Sequence, residues 1–136
     1  MNTQTVEMLM RLNNIGFDSH DALALRRIAM TFHRWDELEC GDGNDYASWA
    51  IERDEETGKP YMVTYPHTGE SRRRAIPDRE AGAQRRLNKI MEKHPELVAY
   101  HQGDCRGASL YIVRKSDLNG STDVRSNYTL GVAVHG

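Results

Sequence analysis

The chain has 136 residues and a formal net charge of −2, with 38% hydrophobic and 28% charged residues. This length fits one globular domain spanning residues 1–136, large enough to bury a core without a metal or a disulfide. No apolar run approaches the roughly 20 residues that cross a bilayer. The two cysteines do not make a disulfide framework, and the N-terminus lacks a signal segment. We therefore expect a cytoplasmic protein with reduced thiols and no membrane contact.

Charge is distributed very unevenly along the chain. Segment 36–56 contains nine acidic residues and one base, a net charge of −8, whereas segment 72–93 contains eight bases and three acids, a net charge of +5. Because a field of one sign attracts partners of the other sign, this polarity predicts a binding role. The near-neutral total argues against a protein that coats DNA, which would usually be strongly basic.

Three segments have the periodicity of helices. The first is 3–13, where apolar residues recur at loosely helical spacing. The second is 19–40, capped by Asp18 or Ser19. The third, 78–93, begins at the capping residue Asp78 and must end before Pro95, because proline restricts the residue in front of it.

The other segments alternate between apolar and polar residues with a period of two, which predicts strands. Gly58 supplies the positive φ needed in the first hairpin loop. The order αα-βββ-α-βββ predicts an α+β fold, an antiparallel sheet of five to six strands packed by the two main helices. The predicted strands lie near 46–53, 61–65, 71–76, 97–101, 108–114 and 128–134.

The helical and strand periods together predict one buried core. The helices contribute Leu25, Ile28, Phe32, Trp35, Leu87 and Ile90. The strands contribute Trp49, Ile51, Val63, Leu110, Ile112 and Val132.

The basic segment is the leading candidate for a contact surface. The guanidinium group of an arginine can donate two parallel hydrogen bonds to two oxygens of one phosphate or carboxylate. A nucleic-acid module would add exposed aromatic side chains for stacking, whereas Tyr61 and Tyr65 are expected to be half-buried. The alternatives are a protein or small anionic ligand, a nucleic acid, and a merely solvated edge strand and helix. The candidate residues are Arg72, Arg73, Arg74, Arg79, Arg85 and Arg86, together with Asp42 and Asp45 of the acidic segment.

No segment has the spacing of a metal or cofactor motif. The run at 39–45 lacks the alternating ligands of a calcium loop and is interpreted as a helix end followed by a turn. His33 and Cys40 lie about 10 Å apart on a helix, too far for one zinc ion. Phosphate-loop, G-x-S-x-G and H-E-x-x-H motifs do not occur, so we expect no metal, no cofactor and no enzyme of a common class.

The loop at 101–107 offers a third hypothesis, a small enzyme or nucleotide binder. Cys105 lies beside Arg106, and a positive neighbour lowers the pKa of a thiol. His101 is a candidate base for it. Asp104 offsets the charge of Arg106, however, and a hairpin turn explains the same residues. We therefore expect both cysteines to be structural.

Three strings in the chain carry a family resemblance: FHRWDELECGDGN at 32–44, IPDREAGAQRRL at 76–87 and GASLYI at 107–112. They resemble small accessory proteins encoded by bacteriophages and prophages of Proteobacteria, over roughly residues 25–135. The resemblance implies a phage origin and inhibition of a host system such as CRISPR–Cas. It carries over no site residue, because that group has no functional motif to match.

These observations favour a non-enzymatic, phage-type binding protein that occludes a host protein or protein complex in the host cytoplasm. A nucleic-acid-binding accessory protein that uses the arginines of 72–93 is the alternative. A second copy of the chain, forming a homodimer, is a further candidate partner.

Overall fold

The computed structural model describes residues 2–39, 42–43, 47–66, 68–102, 109–118 and 131–135. Within these ranges the chain forms three α-helices and antiparallel strands, so the predicted α+β class and element order are confirmed. None of the described helices is both long and apolar enough to cross a lipid bilayer.

The helices are α1 (Thr3–Asn14), α2 (Ser19–Glu39) and α3 (Arg79–Met91). Each begins at a side chain that accepts a hydrogen bond from an otherwise unpaired amide of the first turn. Asn2 caps α1 and Asp78 caps α3, with oxygen-to-nitrogen distances of 2.8 and 3.0 Å. Of the two candidates for α2, the cap is Asp18, whose Oδ1 lies 2.8 Å from the amide of Asp21.

Sheet 1 contains β1 (Asp42–Gly43), β2 (Ala47–Arg53), β3 (Pro60–Pro66) and β4 (Arg72–Ala75), adjacent in that order and all antiparallel. The β2–β3 loop has the predicted turn glycine, because Gly58 has a φ of 71°. Its amide donates to the carbonyl of Asp54 at 2.8 Å.

Sheet 2 contains β5 (Leu97–Gln102), β6 (Ser109–Arg114) and β7 (Val132–Val134), with β6 in the centre. A 3₁₀ turn at Lys115–Leu118 follows β6. The predicted start of the last strand at 128 and the loop at 103–108 lie outside the described residues. The strands thus form two sheets, where the sequence suggested one. Strands that are consecutive along the chain pair with each other, and α3 separates the two sets.

Helices α2 and α3 pack antiparallel. At one end of the pair, Lys93 Nζ lies 2.5 Å from Asp21 Oδ2. At the other end, Arg53 lies over the ring of Trp35 and binds Asp78, just before α3.

The main core fills the space between the helices and sheet 2. Its strand members Leu110, Ile112 and Val134 are fully buried. Of the residues that the structure describes between 42 and 75, none belongs to this core. The core comprises Met8, Leu12, Phe17, Ala22, Leu25, Ile28, Ala29, Phe32, Ala83, Leu87, Ile90, Leu97, Leu110, Ile112, Val132 and Val134.

The predicted core is therefore only partly correct. Ile51 and Val63 are buried, but outside the main core. Val63 pairs with Ala50, so it lies on the opposite face of sheet 1 from Ile51. Trp49 is half-buried, although it shares a face with Ile51. A period of two identifies the face of a strand, but not how far along the strand the covering helix reaches.

Candidate functional site

The candidate arginines of β4 do not share one surface. Arg72 and Arg74 pair with Thr64 and Met62, whereas Arg73 pairs with Val63. Since neighbouring residues of a strand point to opposite faces, Arg73 lies on the outer face of sheet 1, and the other two lie on the inner face toward α2. All three side chains are exposed.

Arg73 is engaged within its own sheet. Its guanidinium lies 3.7 Å from the ring centre of Tyr61, and Nη2 lies 3.0 Å from Asp54 Oδ2. The bond to Arg73, reinforced by the amides of Thr57 and Glu56, lowers the pKa of Asp54 to about 2. Arg73 therefore stabilises the hairpin, and its charge is already paired.

Arg74 and Arg79 line a cleft of about 600 Å³ between α2, the inner face of sheet 1 and the segment that joins β4 to α3. Arg34 of α2 lines the same cleft. None of its described lining residues is acidic. The apolar lining is Met30, Trp35, Leu38, Ile51, Met62, Ala75, Ile76 and Pro77.

A second cleft, of about 570 Å³, lies between the first half of α2 and the second half of α3. Its floor includes Ala24, Ile28 and Ile90. Its basic residues are Arg27, Arg86, Lys89 and Lys93, and its acidic residues are Asp21 and Glu92. The hydrogen bond from Lys93 is the main cause of the lowered pKa of Asp21, so this pair is neutralised internally.

Both clefts lie along one face of α2. Arg27, Thr31, Arg34 and Leu38 are spaced four, three and four residues apart, which places them on the same side of a helix. We call the two clefts together the basic groove. It is defined by Arg27, Arg34, Arg74, Arg79, Arg86 and Lys89.

The remaining candidates lie elsewhere. Arg85 is exposed on α3, near enough to Asp78 to help lower the pKa of that carboxyl, whose main cause is the hydrogen bond from Arg53. Asp45 and the side chain of Asp42 lie outside the described residues.

The acidic segment 36–56 does not form one surface among its described residues. Asp36 is buried, and Glu39 accepts a hydrogen bond from Trp35 Nε1 at 2.7 Å. Glu52 accepts a hydrogen bond from the hydroxyl of Tyr65. Most of these carboxylates therefore serve contacts within the fold.

Arg53 joins sheet 1 to the start of α3. Its two terminal nitrogens lie 2.8 and 3.1 Å from the two oxygens of Asp78, and Nη2 lies 3.2 Å from Glu80 Oε1. Nη1 also donates to the carbonyl of Gly58 at 2.9 Å, and the guanidinium lies 5.4 Å from the ring centre of Trp35. The carboxylates of Asp78 and Glu80 raise the pKa of Arg53, with the hydrogen bond to Asp78 as the main cause.

His101 and Asp36 form a second polar pair at the end of the core. His101 Nε2 lies 2.7 Å from Asp36 Oδ2, and its ring stacks on Phe32 with a centre-to-centre distance of 4.1 Å. A histidine held by a carboxylate is the arrangement of a general base. The enzyme hypothesis also needs a nucleophile, and its candidate Cys105 lies outside the described residues.

Asp36 also belongs to a group of three carboxylates that are candidate cation ligands. One oxygen each from Asp36, Glu39 and Glu80 lies within 4.8 Å of the others. His101, Trp35 and Arg53 respectively engage them. Burial, followed by the nearby charge of Glu39, raises the pKa of Glu80. Protein donors thus satisfy an oxygen of each carboxylate without a cation.

Three members of the basic groove were not among the candidate residues. Lys89 lies in the basic segment 72–93 but was not singled out, and Arg27 and Arg34 of α2 lie outside that segment. Their spacing of seven residues, two helical turns, was the available signal. The Arg53–Asp78 contact had no such signal, because 25 residues separate the partners along the chain.

Comparisons with protein-family models, with curated proteins and with solved structures found no match to this chain.

Proposed function

We propose that this is a non-enzymatic binding protein whose basic groove contacts an acidic surface of a partner protein and occludes it. The observation that carries the proposal is the groove itself. Six bases surround an apolar floor along one face of α2. Arg34 among them is paired with Glu37 but is 65% exposed, whereas Arg53 and Arg73 of sheet 1 are held in contacts within the fold. Protein interfaces combine a buried apolar centre with a polar rim, and this groove has both.

The groove favours a protein over a nucleic acid as the partner. Single-stranded nucleic acids need aromatic faces on which bases stack. Trp35, the aromatic residue that lines the groove, is only 4% exposed. Tyr61 and Tyr65 lie on the outer face of sheet 1, away from the groove. Tyr65 is 43% exposed, where the sequence predicted a half-buried side chain, and its hydroxyl donates to Glu52, whose charge repels phosphates. The ring of Tyr61 carries the guanidinium of Arg73, which is paired with Asp54.

The resemblance to phage accessory proteins supports a host target in the bacterial cytoplasm. On that basis we extend the proposal to inhibition of a host defence system such as CRISPR–Cas. Occlusion of one protein surface is enough for such inhibition and requires no catalytic residue.

The test is a phage-plaquing assay in cells that carry an active CRISPR–Cas system, combined with capture of the target complex. We expect the wild-type chain to restore plaques and to retain a subunit of that complex. Arg27→Glu/Arg86→Glu, which reverses two groove charges, should lose both effects. The matched control is Lys59→Glu/Arg114→Glu, which makes the same charge change at exposed positions outside the groove.

Equal behaviour of the two variants contradicts the groove as the contact surface, and an inactive wild-type chain contradicts inhibition of that system. Gel shifts address the nucleic-acid alternative. We expect no shift at submicromolar protein in about 0.15 M salt, where non-specific binders weaken. A shift whose salt dependence flattens in Arg27→Glu/Arg86→Glu would favour the alternative.

A further inference from the structure

We infer that the cleft between α2 and β4 takes a bulky apolar side chain from an acidic peptide segment of the partner. This inference rests on the proposed function and names the chemistry of the segment that binds. The cleft volume of about 600 Å³ falls within the range of ligand pockets, roughly 300–1,000 Å³. It is large enough to receive side chains rather than a lone ion.

The charges around the cleft specify an acidic segment. Among the described residues, neither Arg74 nor Arg79 has an ion pair, and the lining of the cleft contains no carboxylate. Arg34 is joined to Glu37 at 3.3 Å, but its side chain is 65% exposed. The cleft therefore presents cations that are available to a partner. A carboxylate suits them, because its two oxygens can accept two hydrogen bonds from one guanidinium.

The floor of the cleft specifies an apolar anchor. Ile51 and Met62 come from the inner face of sheet 1, and Leu38 comes from α2. Met30 at the cleft is 46% exposed, and methionine adapts its shape to different apolar partners. A purely polar anion would pair with the arginines and leave this floor uncovered. A central apolar anchor with charged neighbours is the usual composition of a strong interface contact.

The experiment measures fluorescence anisotropy of short labelled peptides with the full chain. The probe is a flexible peptide of Asp, Glu, Gly and Ser that carries Phe and Leu at its centre. One comparator replaces Phe and Leu by Ser at equal charge, and a second replaces the acids by Lys. A labelled single-stranded DNA of similar length is the third comparator.

We expect the acidic peptide with the apolar anchor to bind, and the two peptide comparators to bind at least about tenfold more weakly. Arg74→Glu/Arg79→Glu should weaken the probe by a similar factor, whereas Lys59→Glu/Arg114→Glu should leave it unchanged. In NMR spectra the methyl signals of Met30 and Ile51 should shift with the probe. Thermal melts establish that the variants fold. If Arg74→Glu/Arg79→Glu does not fold, the neutral variant Arg74→Gln/Arg79→Gln replaces it in the binding assay.

Equal binding of the anchored and the anchor-free acidic peptide overturns the inference, because attraction would then be purely electrostatic. Tighter binding of the DNA, or no binding of the probe, overturns it as well. In those cases Arg27→Glu/Arg86→Glu tests the proposed function separately, in the plaquing and capture assays described above. If that variant still loses the host target, the groove is the contact surface and only the anchor is wrong.

Discussion

Replacing Arg53 by Gln should destabilise the fold by about 2 kcal/mol, because Arg53 joins sheet 1 to α3. The change removes a bidentate pair with Asp78 at 2.8 and 3.1 Å and a bond to Glu80 at 3.2 Å. Loss of one partner costs about 3–5 kcal/mol for a buried pair, whereas an exposed pair contributes about 0–1 kcal/mol. The side chains of Arg53 and Asp78 are each 32% exposed, so the expected value lies between these limits.

The assay is urea unfolding followed by circular dichroism, in wild type, Arg53→Gln and the control Arg73→Gln. Arg73 also pairs with a carboxylate, but its side chain is 50% exposed, and its variant should lose less stability. Asp78→Asn and the double variant complete a cycle that isolates the coupling of Arg53 and Asp78.

The difference between wild type and Arg53→Gln should shrink as pH falls. The pKa of Asp78 is lowered by Arg53, so the stability from this pair is present above the ordinary carboxyl pKa and is lost as pH falls through the lowered value. The pKa of Glu80 is raised by burial, and without Arg53 it should rise further. Protonation of Glu80 at lower pH therefore removes an unpaired charge from the variant and reduces its loss of stability. Equal loss in the Arg53 and Arg73 variants, or a difference independent of pH, refutes this account.

Three further predictions concern the core, the hairpin and the thiols. Leu87→Ala should lower the free energy of unfolding by about 2–5 kcal/mol, because it is a large-to-small change at a position only 2% exposed. The control Lys89→Ala, at an exposed position of the same helix, should lower it much less. Equal urea midpoints for the two variants would show that this face of α3 does not belong to the core. The carboxyl of Asp54 should titrate with a pKa of about 2 in carbon-detected NMR. In Arg73→Gln its pKa should rise toward the ordinary aspartate value of about 3.9, and an unchanged pKa would show that the backbone amides alone keep it low. Cys105→Ser should leave plaque restoration intact, and loss of activity in a folded variant, with rapid alkylation of the wild-type thiol, would favour the enzyme hypothesis.

The sequence was most informative where structure depends on near neighbours. The predicted caps Asp18 and Asp78 act within three residues, so the bounds of α2 and α3 could be predicted to within two residues. The turn at Gly58 depends equally on local backbone conformation.

Contacts between distant segments could not be predicted in the same way. The division into two sheets and the outer position of Val63 depend on which strands pair and in which register. The basic groove likewise depends on contacts between segments that are distant in sequence. Arg74 and Arg79 were visible as a charged run, but their meeting with Arg34 requires α2 to pack beside β4.

Sheet 1 contributes none of its described residues to the main core, which has a consequence for how the protein opens. Along the sequence, the strands of sheet 1 follow α2 and precede α3. Leu38 near the end of α2 and Ile76 just after β4 line the same cleft, so the two ends of this segment lie close together. Arg53 connects it to the helices through Trp35 and Asp78, and Ile51 lines the cleft that it shares with α2. We therefore expect it to open as an inserted lobe. Hydrogen exchange should therefore be faster in its amides than in β6, through local unfolding that leaves the helices and sheet 2 folded. The basic groove lies where this lobe meets α2, so a partner that binds there should slow that exchange.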